Sequence, residues 1–245
     1  MHLQENTILI TGGSSGIGLE LACRLQEKGN TVIVCGRSRE KLEKAEARNP
    51  HLIPYACDIS NEVDCIAMVN WIEAQYPSLN MLINNAAIVH ATSFMDDDGM
   101  LKKAAAEIDT NLMGPIRLAK LFYPLLLRQA SGLLINVTTG LIYAPRAAYP
   151  IYNATKAALH AFTQVLRIQL ADAPVRIVEV QFPAVDTPWH LGNPPPIAIP
   201  VEDAVTQMLD GLAKGREEIR VGGVKLLYGL SRVAPAFALR KINQL

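Results

Sequence analysis

The order of apolar segments constrains the fold of this chain more than any single residue does. Short β-rich runs occur at Thr7–Thr11, Thr31–Cys35, Leu52–Ala56, Met81–Asn84, Leu133–Thr138, Val175–Phe182 and Glu218–Val221. Between them lie helix-period segments, roughly Ile17–Lys28, Arg39–Arg48, Val63–Gln75, Met100–Arg128, Tyr152–Ala171 and Val201–Ala213. A last amphipathic segment runs from Val224 to the C-terminus. The strand runs show little apolar/polar alternation, the pattern of strands covered by helices on both faces. Repetition of strand, helix and strand predicts an α/β architecture: a doubly wound, seven-stranded parallel sheet. No linker, repeat or shift in composition divides the 245 residues, so a single domain over 1–245 is expected. The segment 224–245 would pack on that domain or at a subunit interface.

Composition excludes several classes of function. Lys+Arg and Asp+Glu both number 23, so there is no basic excess of the kind that nucleic-acid binding requires. Cys23, Cys35, Cys57 and Cys65 form no Cys-x-x-Cys pair and have no His at metal-ligand spacing, and nothing at the N-terminus reads as a secretory signal. Free buried thiols and a cytoplasmic location are therefore expected, with no metal. The most apolar stretch, Leu112 to Leu127, carries Arg117, Lys120 and two prolines, and is no membrane span. The proline-rich patch Gly192 to Pro200 reads as a loop over the edge of the sheet.

The first strand runs into Thr11-Gly12-Gly13-Ser14-Ser15-Gly16-Ile17-Gly18 at the start of the first helix. A dinucleotide pyrophosphate needs a tight turn, close backbone approach and free N–H groups at a helix N-terminus. Gly12 can make the turn, Gly16 removes a Cβ that would block the phosphates, and Gly18 lets the helix pack on the strand. The second strand ends at Cys35-Gly36-Arg37, where a carboxylate for the adenosine ribose hydroxyls is absent. Gly36 leaves room for a 2′-phosphate and Arg37 offers it a planar guanidinium, with Ser14, Ser15, Ser38 and Arg39 as secondary candidates. Asp58 could accept from the adenine amino group or open the next helix before Ser60-Asn61-Glu62. Asn84-Asn85-Ala86-Ala87 closes the fourth strand at the same edge.

Tyr152 and Lys156 stand four apart at the start of a predicted helix, so one face carries both. A nearby cation favours the phenolate of a tyrosine that would otherwise be a poor base. Thr139, at the end of the fifth strand, could donate to a substrate carbonyl beside the phenol or cap local backbone. In the fourth helix, Pro115 cannot donate to the main-chain carbonyl of Asn111, which leaves that carbonyl able to hold a water in a kinked helix.

Taken in this order, TGGSSGIG, NNAA, Asn111, Thr139 and Tyr152/Lys156 resemble the short-chain dehydrogenase/reductase family, over roughly residues 5 to 222. The resemblance implies a Rossmann-type fold and an NADP(H)-dependent oxidoreductase that moves hydride between nicotinamide and a carbonyl or secondary alcohol. It implies Tyr152 as acid/base, Lys156 on the nicotinamide ribose, Asn111 holding a relay water, and Thr139 as the fourth catalytic residue. Cofactor contacts are implied for Gly12, Ser14, Ser15, Gly16, Ile17, Gly18, Arg37, Asp58, Ile59, Asn85, Ala86, Tyr152, Lys156, Pro183, Val185 and Thr187. The chain departs from the family's usual residues at Thr139 (Ser), Ala87 (Gly) and Ala184 (Gly). Thr keeps the donor but stiffens χ1, which narrows substrate choice. The segments Glu218–Gly222 and Ser231–Pro235 resemble the DltE-like branch, a name that fixes no substrate. The family also implies a homodimer or homotetramer built on the helices of Asn111 and Tyr152, with Leu118–Leu127 as an apolar face. A non-catalytic NADP(H)-sensing protein on the same fold is the alternative. Trp189 and His190, in the short cover 188–200, are possible substrate contacts.

Overall fold

The run Thr-Ile-Leu-Ile-Thr forms β1 (Thr7–Thr11), and all five of its residues are buried. Ile8 and Ile10 enter one apolar cluster and Leu9 the other, so each face of the strand faces a separate half of the core. That is why the run does not alternate. The computed structural model describes residues 2–190 and 192–244. Its remaining strands are β2 (Thr31–Gly36), β3 (Leu52–Ala56), β4 (Leu79–Asn84), β5 (Gly132–Thr139), β6 (Val175–Phe182) and β7 (Glu218–Arg220). They form one parallel sheet in the order β3-β2-β1-β4-β5-β6-β7. The chain winds outward from β1 to β3 and returns to the other side of β1 at β4. Loops diverge at that reversal, and a crevice opens at the C-terminal ends of β1 and β4.

Helices cover both faces. On one side α1 (Gly16–Glu27) and α7 (Val201–Ala213) bury Leu21, Leu25, Met208 and Leu212. On the other, α3 (Glu62–Gln75) buries Met68 and Ile72. The helix α2 (Arg39–Arg48) contributes Leu42 to the first cluster. The expected long helix Met100–Arg128 is in fact three segments: α4 (Met100–Ile108), a π-helical turn (Asp109–Met113) and α5 (Gly114–Leu127). Pro115 has no N–H for the carbonyl of Asn111, and the Gly114 N–H reaches back to Asp109, so one extra residue is accommodated there.

The helix α6 (Pro150–Gln169) begins two residues before Tyr152, with Pro150 in its first turn. The final segment also divides, into α8 (Val224–Val233) and α9 (Pro235–Ile242), because Pro235 cannot continue the first helix. Asn243 ties the second to the segment after β5: Asn243 Nδ2 donates to the Pro145 carbonyl at 3.0 Å, and Ala147 N donates to Asn243 Oδ1 at 2.6 Å. Leu191, inside the expected cover, and Leu245, at the end of the C-terminal segment, lie outside the described residues.

Most of the apolar face expected on α5 turns inward: Leu118, Phe122, Leu125 and Leu126 are buried against the sheet, and Leu127 is exposed. Exposed apolar side chains on this side of the molecule include Val165 and Ile168 of α6. All four cysteines are free thiols. Among the described residues, no helix is long and apolar enough to cross a membrane.

Candidate functional site

The glycine turn after β1 is held from two sides. Gly12 N donates to the Cys35 carbonyl at 2.8 Å, and Asn85 Nδ2 donates to the Thr11 carbonyl at 2.9 Å. Thr11 Oγ1 accepts from the N–H groups of Asn85 (2.9 Å) and Ala86 (3.0 Å), which locks the end of β4 to the end of β1. Gly12 (φ +66°) and Gly16 (φ +53°) adopt left-handed backbone that side chains disfavour. A Cβ on Gly16 would lie 3.3 Å from Thr187 Cγ2, across the mouth of the crevice. Gly18 packs on the turn itself rather than on the strand, since its Cβ would fall 2.3 Å from the Gly12 carbonyl oxygen. Close approach to a strand falls to Gly13, whose Cβ would meet Val34 Cγ1 at 2.6 Å. Ser15 at the N-cap of α1 makes no side-chain cap bond, and the first turn holds no acid. The helix therefore presents unsatisfied N–H groups and no negative charge to the crevice.

The cleft brings together most of the residues singled out as nucleotide contacts. Gly12, Ser14, Ser15, Gly16, Ile17 and Gly18 line it beside Arg37, Asp58, Ile59, Asn85, Ala86 and Thr187. Four others do not line it. Val185 is buried in the core and bridges Ile199, and Pro183, Tyr152 and Lys156 also lie outside this part of the crevice. Ser38 lines the cleft while capping α2, accepting from Lys41 N at 3.3 Å, whereas Arg39 stays out of it. Asp58 does not cap the next helix. It lines the cleft, and its Oδ1 accepts from Ser60 N (3.0 Å) and Ser60 Oγ (2.7 Å), while the N-cap of α3 is Asn61. Trp189, on a short 3₁₀ turn (Pro188–His190), faces the glycine turn across the cleft and stacks edge-on with Tyr149.

At the inner end of the sheet, β5 and α6 set the second half of the site. Thr139 caps the turn after β5, accepting from Leu141 N at 3.3 Å, and its hydroxyl stands beside the Tyr152 phenol. The phenol is pushed up to about 12, by desolvation first and by the Glu107 carboxylate, with the Thr139 hydroxyl opposing. The Lys156 side chain is buried, its Nζ donates to the Val137 carbonyl at 2.8 Å, and it lies 6.0 Å from the centre of the Tyr152 ring. The expectation that the ammonium would lower the phenol is not met in the free protein. Desolvation outweighs a charge that is itself spent on a strand carbonyl. Burial also brings Lys156 down to about 8. Asn111 sits in the π-helical turn, fully buried. Its side chain clamps Ile88: Nδ2 donates to the Ile88 carbonyl at 2.7 Å, and Ile88 N donates to Oδ1 at 2.8 Å.

The short chain dehydrogenase family model matches residues 6–193. The chain belongs to that family. It is 41% identical over 233 residues to the uncharacterized oxidoreductase DltE of Bacillus subtilis (strain 168), covering 92% of each chain. Among solved structures, a short-chain dehydrogenase from Burkholderia cenocepacia J2315 in complex with NADP superposes with a TM-score of 0.85 at 27% identity, covering 98% of each chain. A short-chain dehydrogenase/reductase from Burkholderia phymatum in complex with NAD shares the fold, with a TM-score of 0.83 at 17% identity.

Several features of this short-chain dehydrogenase escaped the sequence reading. Lys41 adds a second cation to the cleft, and its place in the first turn of α2 after the Ser38 cap was a legible signal. Thr11, read only as the start of the glycine motif, joins the ends of β1 and β4. Glu107 is fully buried on α4, accepting at Oε1 from His90 N (2.7 Å) and pairing there with His90 Nδ1 (2.8 Å). No local spacing links residues 90 and 107.

Proposed function

We propose that the protein is an NADP(H)-dependent carbonyl reductase or alcohol dehydrogenase with Tyr152 as its proton donor and acceptor. The observation that carries this reading is the half-buried Tyr152, set beside the Thr139 hydroxyl with its ring centre 6.0 Å from the Lys156 ammonium. The glycine cradle fits a dinucleotide: a Cβ at Gly16 would project across the mouth toward Thr187, and α1 opens on the cleft without a capping side chain or an acid. A bound nicotinamide would supply or accept the hydride.

The residues of the chain do the rest. The N–H groups of the turn and of α1 would hold the pyrophosphate, and Thr187 would take the carboxamide. Arg37 and Lys41, which both line the cleft, would hold a 2′-phosphate, for which Gly36 would leave room. NADP in the Burkholderia cenocepacia relative supports that choice. Lys156, which donates to the Val137 carbonyl here, would hold the nicotinamide ribose. Thr139 donates to the substrate oxygen, and Tyr152, which keeps its proton at neutral pH, gives it to the nascent alkoxide. Asn111 acts in two ways: its side chain fixes the loop at Ile88, and its main-chain carbonyl holds the water that returns the proton.

A cytoplasmic homo-oligomer is part of the same proposal, with the exposed Val165 and Ile168 of α6 as apolar contacts. The test is to incubate purified protein with NADPH and a panel of ketones and aldehydes. Turnover that depends on Tyr152 is expected. Tight NADPH binding with no turnover of any panel member would replace the enzyme with a non-catalytic nucleotide-binding protein.

A further inference from the structure

Along α6, Tyr152, Lys156, His160 and Thr163 follow at spacings of four, four and three, and so share the face turned to the sheet. Beneath that face the strands carry side chains that an apolar strand would not supply. Asn84, Asn136, Thr138, Glu179 and Gln181 are each at most 2% exposed. One end of this layer is neutral: Asn84 Nδ2 donates to Asn136 Oδ1 at 2.9 Å, and Asn136 Nδ2 donates to Thr163 Oγ1 at 2.9 Å. The other end holds a charge. Thr138 Oγ1 donates to Glu179 Oε1, and His160 Nδ1 lies 2.7 Å from Glu179 Oε2.

A valine on β6 would fill this space without desolvating a carboxylate, so Glu179 is costly unless its charge is used. The charged groups on neighbouring elements identify where that charge acts. On β7, Arg220 is paired with Glu218 and hydrogen-bonded to the Tyr143 phenol. On α6, Arg167 is paired with Glu217 (3.5 Å) and Glu218 (3.7 Å). The Tyr143 phenol, after β5, donates to Gln181 Oε1 and is raised, mainly by burial. That leaves His160, in direct contact with Glu179, and Lys156, one turn earlier on the same face.

We propose that Glu179, fixed by Thr138 and His160, is a positioning residue that keeps Lys156 protonated while Lys156 moves between the Val137 carbonyl and the cofactor ribose. The inference rests on the role assigned to Lys156 above. Burial drives the ammonium toward its neutral form, and the Glu179 carboxylate is the charge that opposes this. The sign follows. Removing the carboxylate makes Lys156 lose its proton at lower pH, so a cofactor contact that needs the ammonium fails at lower pH as well.

The test is an NMR titration of the cofactor-free protein labelled with ¹³Cε-lysine, with the Lys156 signal identified by its loss in Lys156→Ala. In Glu179→Gln the Lys156 inflection should fall by about one pH unit, while Glu179→Asp, which keeps the charge, should stay near wild type. The pH at which NADPH affinity declines should move in parallel. Equal inflections in wild type and Glu179→Gln, or equal shifts in the Gln and Asp variants, would reduce Glu179 to a packing residue and overturn the proposal. If Glu179→Gln does not fold, His160→Gln decides. It takes away one of the two anchors of that carboxylate, so the Lys156 inflection should fall, and an unchanged inflection would overturn the proposal. Absence of turnover on the carbonyl panel would sink the enzymatic reading and leave this titration interpretable.

Discussion

Replacing Arg37 with alanine probes the cofactor choice most directly. Arg37 lies at the end of β2 with its side chain exposed at the cleft, and the preceding Gly36 carries no side chain to exclude a 2′-phosphate. A charge-assisted hydrogen bond contributes about 1.5–3 kcal/mol. Solvent at the mouth screens the pair, so the low end applies, and about 1.5 kcal/mol is about tenfold in affinity. Lys41 faces the same position as a point charge and adds a smaller increment. The wild type should therefore prefer NADPH over NADH by at least about tenfold in kcat/KM, and Arg37→Ala should bring the ratio to within a few-fold. The preference should also narrow as salt is raised. Gly36→Asp combined with Arg37→Ala should reverse it, because a carboxylate there accepts from the ribose hydroxyls and repels the phosphate. The new Cβ would stand 3.2 Å from Ser14 Oγ, a single-bond rotor that can turn aside. Paired kcat/KM measurements with both cofactors at low and physiological salt are the assay. Equal use of NADH and NADPH by the wild type would show that Arg37 is only a solvated loop residue.

Tyr152→Phe should lower kcat by about a hundredfold or more while NADPH affinity holds, and retention of more than a few per cent of kcat would count against the assignment. Because the phenol sits at about 12, it keeps its proton through neutral pH. The kcat/KM for reduction should then show no tyrosine inflection between about pH 6 and pH 9, and any loss near 8 belongs to Lys156. Asn111→Ala should cost about 2 kcal/mol or more in a urea unfolding series, because it strands the Ile88 N–H and carbonyl. Unchanged stability would confine Asn111 to its main-chain carbonyl. Light scattering at micromolar concentration should give a multiple of the 26.7 kDa chain mass, and a monomeric mass would dispose of the assembly.

The strand–helix order, the parallel sheet and the glycine cradle were legible in the sequence because each is a local matter. Periodicity reports which faces are covered, and a glycine marks backbone that no side chain can occupy, as at Gly12 and Gly16. Spacing alone also placed Tyr152 and Lys156 on one helical face. The division of the chain after Ile108 was less visible, since a missing N–H at Pro115 signals a break without saying that a π-helical turn absorbs it. What the tertiary structure alone decided were the contacts between distant segments and the balance of burial against charge. Asn111 reaches across to Ile88, and Glu107 to His90. Gly18 meets the Gly12 carbonyl rather than the strand. The Tyr152 phenol rises although a lysine stands one turn away, because desolvation acts on the whole side chain while the ammonium is engaged by Val137. Glu179 looks like an ordinary strand residue until the fold places it under α6, where a carboxylate with no access to water must find its compensation in His160, Thr138 and Lys156.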